Sequence, residues 1–455
     1  MLHLSRQRTR RSIAIVALSA MAMALLCGCA SRAAEAPRDG SAKNGPEALR
    51  LQRVVMLMRH SVRPPTKSYV IPEGYASDPW PKWKVPAGNL TAHGFKGAVL
   101  LGRWQREALS RRGLFPADGC PRDGAVVIWA DTDQRTRKTG AGFAKGLAPG
   151  CGIRVGHTGG DRDDPLFDPF ENRAVPYDQA KGRAAILAQA DGDDLQDLAQ
   201  VSRHLHKAFA RLDAILGCCS LPLCKASGLP EGCKLGQIPY VWEKVEPHEE
   251  VDIVGPLSVG GTAAESILLE YANGMPMHDV GWGRASVADL VLLSKIHAAE
   301  FNVLERAPYN AWRGATPILQ RVLQVFDGER PARLTVLVGH DTNVANLAGT
   351  LDLHWQVPGY ARDDPAINGT VGFELLTDDS GNKFVRAFYF SQGLKQLRTL
   401  QKLDAEHPPY DHYLSQPSCA LPGKPKLCTL AGFERVVRNG IVPVDAKTAA
   451  ATSSH

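Results

Sequence analysis

The chain turns on Val54-Val55-Met56-Leu57-Met58-Arg59-His60-Ser61-Val62-Arg63-Pro64. The five apolar residues read as a buried strand. A histidine flanked by arginines follows where that strand ends. Buried arginines are rare unless they face an anion, and ligands of open α/β sheets bind at the carboxyl ends of the strands. A second stretch repeats the design: Leu334-Thr335-Val336-Leu337-Val338 runs into Gly339-His340-Asp341-Thr342-Asn343. Two apolar strands, each delivering a histidine at its end, predict one site assembled from both ends of the chain.

The residue types define what such a site can do. Two arginine forks, Arg59 and Arg63, can hold one phosphate through charge-assisted hydrogen bonds. A neutral imidazole at His60 can attack phosphorus and form a covalent phospho-enzyme. The leaving oxygen then needs a proton, and Asp341, beside the second histidine, is the candidate acid if its pKa is suitably raised. For a single motif, a hydrogen-bonded core histidine with surface arginines is an equally good reading; the paired motif displaces it. No Cys/His spacing or carboxylate cluster reads as a hydrolytic metal centre. His278 and His354 stand alone, and His204 and His206 fall in a helical stretch. The expectation is an enzyme with no metal and no cofactor.

Arg59-His60-x-x-Arg63-x-Pro65 resembles the signature of the histidine acid phosphatases, and Gly339-His340-Asp341 resembles their second motif. Ala130 to Gly140 is similar to the family segment that supplies a third phosphate-binding arginine. The likeness continues through Leu90-Thr91-x-x-Gly94, Asp164 to Pro169, Gly281-Trp282-Gly283-Arg284 and Thr429 to Phe433. It covers nearly everything from 50 to 440 and points to the bacterial periplasmic phytase and glucose-1-phosphatase subgroup.

The resemblance implies His60 as nucleophile, Asp341 as proton donor, and Arg59, Arg63, Arg135 and His340 as phosphate ligands. Thr66 and Lys67, just after the signature, would sit at the mouth of the site as substrate contacts, and the resemblance implies a further basic contact at Arg284. The plainer reading makes the first two turn residues and Arg284 half of a surface ion pair. Extra cations there would favour a polyanion such as inositol hexakisphosphate; the alternative is a sugar-phosphate preference, as in glucose-1-phosphatase. Ser61 departs from the family glycine, which bears on substrate fit more than on chemistry. Of eight cysteines beyond the leader, the resemblance pairs Cys120 with Cys151, Cys224 with Cys233 and Cys419 with Cys428. Cys218 and Cys219 are left free, joined to each other, or exchanged with Cys224. Two other classes stay open: a mutase using the same histidine chemistry, and a non-catalytic phosphate-binding relative. The intact set of His60, Asp341 and three arginines weighs against the second.

Four arginines (Arg6, Arg8, Arg10, Arg11) precede the apolar run Ile13 to Leu26 with no acidic residue before Cys29. This reads as an export signal too short to span a bilayer comfortably, and export weighs against a mutase acting on cytoplasmic substrates. Leu26-Cys27-Gly28-Cys29 resembles a lipobox, so Cys29 is the expected lipidation site, with cleavage near Ala33 to Ala36 as the soluble alternative. Without those arginines the formal charge of +6 becomes +2, no basis for a nucleic-acid partner. The cysteines agree with an oxidising compartment, and the localisation read from them is periplasmic, with a lipid anchor in the outer membrane.

The expected architecture is an α/β fold: a three-layer α/β/α domain around a central mixed sheet, with an inserted mainly helical domain. Residues 1–29 form the signal and 30–48 a flexible tether. Residues 49–154 and 311–440 form the α/β domain, 155–310 the helical insert, and 441–455 a disordered tail. Strands are expected at 53–58, 125–130, 334–338 and 384–390. Helices are expected at 91–112 (capped by Thr91), 135–147, 194–217 and 285–305. The expected partner is a small phosphate monoester, and the expected state a monomer.

Overall fold

From residue 49 the chain runs β1 (Arg50–Arg59), α1 (Ala92–Arg111), β2 (Val126–Ala130), α2 (Gln134–Leu147) and β3 (Val155–Gly156). A helix-rich stretch follows: α3 (Gln179–Gln189), α4 (Ala199–His204), α5 (His206–Leu216) and α6 (Leu221–Ala226). A short hairpin, β4 (Val241–Trp242) and β5 (Ile253–Val254), leads into α7 (Pro256–Ala272), α8 (Val287–Val303) and α9 (Pro308–Phe326). The chain then returns through β6 (Leu334–Gly339), α10 (Asp341–Thr350), β7 (Thr370–Thr377), β8 (Lys383–Ser391) and α11 (Leu394–Thr399). It closes with β9 (Tyr410–Tyr413), β10 (Ala420–Leu421), β11 (Lys424–Thr429) and α12 (Leu430–Gly440). This computed structural model describes residues 49–67, 70–160 and 163–444. The export signal, Cys29, the tether and the tail beyond 444 lie outside the described residues.

The central sheet is mixed, in the order β10-β11-β8-β7-β1-β6-β2-β3, with β9 against β8. Parallel pairs join β1 to β6, β6 to β2 and β2 to β3, while β7 pairs antiparallel with β1. The apolar run in β1 is explained by burial on both faces. Val54, Met56 and Met58 pack with Leu101 and Trp104 of α1 and Phe143 of α2. Val55 and Leu57, on the opposite face by strand alternation, join the larger core with Leu319 of α9, Leu347 of α10 and Phe433 of α12. Helices therefore cover both faces of the sheet, and the three layers expected are the three observed.

Local signals explain most helix ends. The Thr91 hydroxyl accepts from the Gly94 N–H at 2.9 Å, and the Ser286 hydroxyl accepts from Asp289 at 3.3 Å, each relieving one orphan donor of a first turn. The expected continuous helix over 194–217 is broken. Its first turn is a 3-10 segment, Leu195–Leu198, wound tight because the Asp197 carboxylate accepts from Asp193 and Asp194 N–H at 3.0 and 2.9 Å. The chain bends again at Leu205 and stops at left-handed Gly217. Disulfides join Cys120 to Cys151, Cys224 to Cys233, Cys419 to Cys428, and Cys218 to Cys219.

Candidate active site

The two histidine motifs meet because β1 and β6 are parallel neighbours, with Arg59 opposite Gly339. The His60 N–H donates to Gly339 C=O at 3.0 Å, and Asp131, just past β2, donates to Val338 C=O at 3.0 Å. Gly339 is required here: a Cβ would lie 2.5 Å from Asn343 Oδ1 and 2.7 Å from the Phe167 ring. Asn343 fixes the turn by accepting from the His340 N–H at 2.9 Å and donating to Phe167 C=O at 2.8 Å. On the other side α1 presses on the loop after His60. A Cβ at Gly94 would meet Val62 O at 2.7 Å.

His60 is buried, and its Nδ1 lies 2.9 Å from Ser61 C=O. A carbonyl only accepts, so Nδ1 carries the proton and Nε2 keeps its lone pair free. Burial, then the charges of Arg63, Arg135 and Arg59, hold the imidazole well below its ordinary pKa, in the neutral form. The three arginines are themselves anchored. Arg59, 1% exposed, pairs with Glu265 of α7 and, at 2.7 Å, with Asp341, and donates to Pro365 C=O. Arg63 reaches Glu265 at 3.4 Å. Arg135, in the first turn of α2, pairs with Asp133 at 2.6 Å and lies 3.5 Å from His340 Nδ1. His340 Nε2 sits 2.7 Å from Asp131, and the two histidine rings are 5.5 Å apart.

Asp341 opens α10, where the helix N-terminus favours negative charge. Burial alone would raise its carboxyl, but the Arg59 and Arg63 guanidinium groups hold it well below the usual carboxylate range. In the resting site it is an ion-paired carboxylate rather than an acid with a raised pKa, because Arg59 lies directly against it. The ligand atoms of Glu265, His297 and Asp341 lie within 4.8 Å of one another, and His297 in turn bonds Asp364 at 2.8 Å.

Two cavities meet at Arg63. The first, about 280 Å³, is lined by His60, Arg63, Arg135, His340 and Asp341, and also by Asp168 and Glu250. The second, about 410 Å³, holds Thr66 and Lys67 together with four acids: Glu243, Asp252, Glu265 and Glu300. Arg284 lines neither. Its guanidinium pairs with Asp78, donates to Ile215 C=O at 2.9 Å and lies over the Trp282 ring, which packs on Trp80.

Sequence reasoning missed the acids. Burial, together with the Asp131 charge, pushes the Asp168 carboxyl up to about 9. Both residues lie inside stretches singled out above. Glu265 and Glu270 had a legible signal of their own: acids in the otherwise apolar helical run Ala263 to Ala272.

A family model for the histidine phosphatase superfamily (branch 2) matches residues 50–214. Phytase AppA of Escherichia coli K12 is 36% identical over 425 residues, 90% of this chain and 95% of that protein. A glucose-1-phosphatase of Salmonella typhimurium is 29% identical over 403 residues, 87% of this chain and 94% of that protein. Among solved structures, Hafnia alvei phytase in complex with tartrate superposes with a TM-score of 0.80 at 32% identity, over 88% of this chain and 99% of that one. The Citrobacter braakii phytase gives 0.79 at 32%, over 87% and 98%.

Proposed function

The chain belongs to the histidine phosphatase superfamily, branch 2, and on that premise we propose that it hydrolyses phosphate monoesters through a phosphohistidine at His60. The observation that carries this is the His60 imidazole, neutral and buried, with one nitrogen tied to Ser61 and the other free among three guanidinium groups. His60 Nε2 attacks phosphorus while the bond to the leaving oxygen breaks. Arg59, Arg63, Arg135 and His340 hold the non-bridging oxygens, where the charge is concentrated. Asp341 delivers a proton to the departing alcohol. Water then attacks the phosphohistidine, Asp341 takes its proton, and phosphate leaves. A phosphate dianion set among the three arginines offsets their charge, which lifts Asp341 back towards the range where it can carry a proton.

The substrate reading is phytase-like, inositol hexakisphosphate, with Thr66 and Lys67 meeting the further phosphates. The extent of the likeness to the E. coli and Hafnia alvei phytases supports it. The four acids around the second cavity favour the other reading, a sugar phosphate with an uncharged leaving group. The enzyme acts after export to the periplasm, with Cys29 as lipid anchor, and 155–310 serves as a helical insert in the phosphatase fold. Among the described residues no helix is long and apolar enough to cross a membrane.

The test is phosphate release at acid pH from inositol hexakisphosphate and glucose 1-phosphate, side by side. Faster release from the inositol is the expected result. A preference for glucose 1-phosphate moves the assignment to a sugar phosphatase, and release from neither overturns the enzyme reading.

A further inference from the structure

The second cavity carries a feature that phosphate chemistry does not need. Glu243, just past β4, and Asp252, just before β5, face each other across the hairpin. Their backbones are joined by the Glu243 N–H to Asp252 C=O bond at 2.8 Å, and both carboxyls line the same cavity. A carboxylate beside another acid favours the protonated form of its neighbour. Asp252 is half-buried, and its Oδ1 accepts from the Ile253 N–H at 2.6 Å.

The other charged groups of the cavity do not neutralise this pair. On the loop after β1, Arg63 is turned to Glu265 and Lys67 is exposed. On α7, Glu265 is tied to Arg59 and Arg63. On α8, burial raises the Glu300 carboxyl well above its ordinary range, and Glu305, just past α8 and bonded by Asn346 at 2.7 Å, adds no positive charge. Burial likewise raises Glu250, on the same hairpin loop. The Lys67 charge lowers the Asp252 carboxyl, and the neighbouring Glu243 opposes it.

A ligand role for this cavity has independent support. Arg63 is 8% exposed, lines both cavities, and has a buried Nε without a partner. A leaving group that enters this cavity from a phosphate held on Arg63 meets the hairpin pair, which lines the same space.

We propose that Glu243 and Asp252 set the charge that the leaving-group cavity tolerates. With Asp252 protonated the cavity admits a polyphosphorylated leaving group, and with that proton lost it excludes one and favours uncharged leaving groups. This deepens the phosphatase reading above and rests on it for the position of the reacting phosphate. Burial and the Glu243 charge push the Asp252 carboxyl up to about 6, which places the change inside the working range of an acid phosphatase.

The test uses competitive inhibition of p-nitrophenyl phosphate hydrolysis by myo-inositol hexakissulfate and by inorganic sulfate. Both inhibitors keep a constant charge between about pH 4.5 and 7, so any change belongs to the protein. The ratio of the two inhibition constants cancels titration in the phosphate pocket itself. Affinity for the hexakissulfate relative to sulfate is expected to fall roughly tenfold over that range in the native protein, as repulsion by the ionised pair grows. In Glu243→Gln/Asp252→Asn the fall should shrink to about twofold. The single variant Glu243→Gln, at an exposed position, should retain an intermediate fall and covers the case in which the double variant does not fold. A flat ratio in the native protein, an unchanged fall in the variants, or no competition by the hexakissulfate at acid pH overturns the proposal. The hexakissulfate is not turned over. If it binds in acid while inositol hexakisphosphate releases no phosphate, the phytase reading alone fails.

Discussion

The sheet side of the site and its helical side carry opposite charge by different means. On the sheet side, Arg59, His60, Arg63 and His340 leave strand ends or the loops just beyond them, and backbone hydrogen bonds between β1 and β6 pin them. On the helical side, Glu265 comes from α7, Glu300 from α8, Glu305 from just past α8, and Glu250 and Asp252 from the β4–β5 hairpin. The guanidinium charges are permanent, whereas burial makes most of the carboxyl charges conditional on pH. The difference assigns chemistry to the first wall and the response to pH to the second.

The most severe way to break that division is His60→Ala. No other described imidazole in the first cavity has a free nitrogen among the three arginines, since His340 is engaged by Asp131 and Arg135. Loss of the nucleophile should cost about 10⁴-fold or more in turnover of p-nitrophenyl phosphate. Glu300→Gln, on the opposite wall, should cost less than about tenfold. Comparable losses in the two variants would erase the distinction between the walls.

Asp341 belongs to both walls, paired with Arg59 on one side and beside Glu265 and His297 on the other. Asp341→Asn keeps the shape but cannot deliver a proton. Turnover of alkyl phosphates should fall by about 10²- to 10⁴-fold. p-Nitrophenyl phosphate, whose leaving group needs no proton, should lose about tenfold or less. Equal losses on the two substrates would make Asp341 a positioning residue for Arg59 instead of an acid.

The same contrast decides what could be read from the chain. The sheet side is legible because each functional residue follows directly on a strand that announces itself as an apolar run, so motif and scaffold are contiguous in sequence. The helical wall is assembled from single acids scattered over more than a hundred residues, at 168, 243, 252, 265, 300 and 305. Their meeting depends on how α7, α8 and the hairpin pack, and no local pattern encodes that. Arg284 is legible only as a motif: its guanidinium partner, Asp78, lies about 200 residues away in sequence. The break at Leu205 within the expected 194–217 helix is likewise tertiary, with no proline or glycine to mark it.

The smallest expected effect is on stability, and its sign separates the walls once more. Burial and neighbouring acids raise Glu305 to about 8, and burial raises Glu270 to about 8. Burial likewise lifts Glu250 and Glu300 well above the ordinary carboxylate range. A group whose folded pKa is raised binds its proton more tightly in the folded chain. Its contribution is complete below the unfolded carboxylate value and is lost as pH rises through the folded value. Asp131 and Asp341, held low on the sheet side, act oppositely and lose their contribution only as pH falls below the carboxylate range. The melting temperature should therefore peak in mild acid and decline towards pH 8, the decline coming from the helical wall. Glu305→Gln keeps an oxygen to accept from Asn346, which lies 2.7 Å from Glu305 in the native protein. It should match the native protein at pH 5 and exceed it at pH 8 by on the order of 1 kcal/mol, read by calorimetry at the two pH values. If instead the variant declines as steeply as the native protein, the wall is already ionised when folded. Its repulsion of polyanions would then be permanent, no longer set by pH.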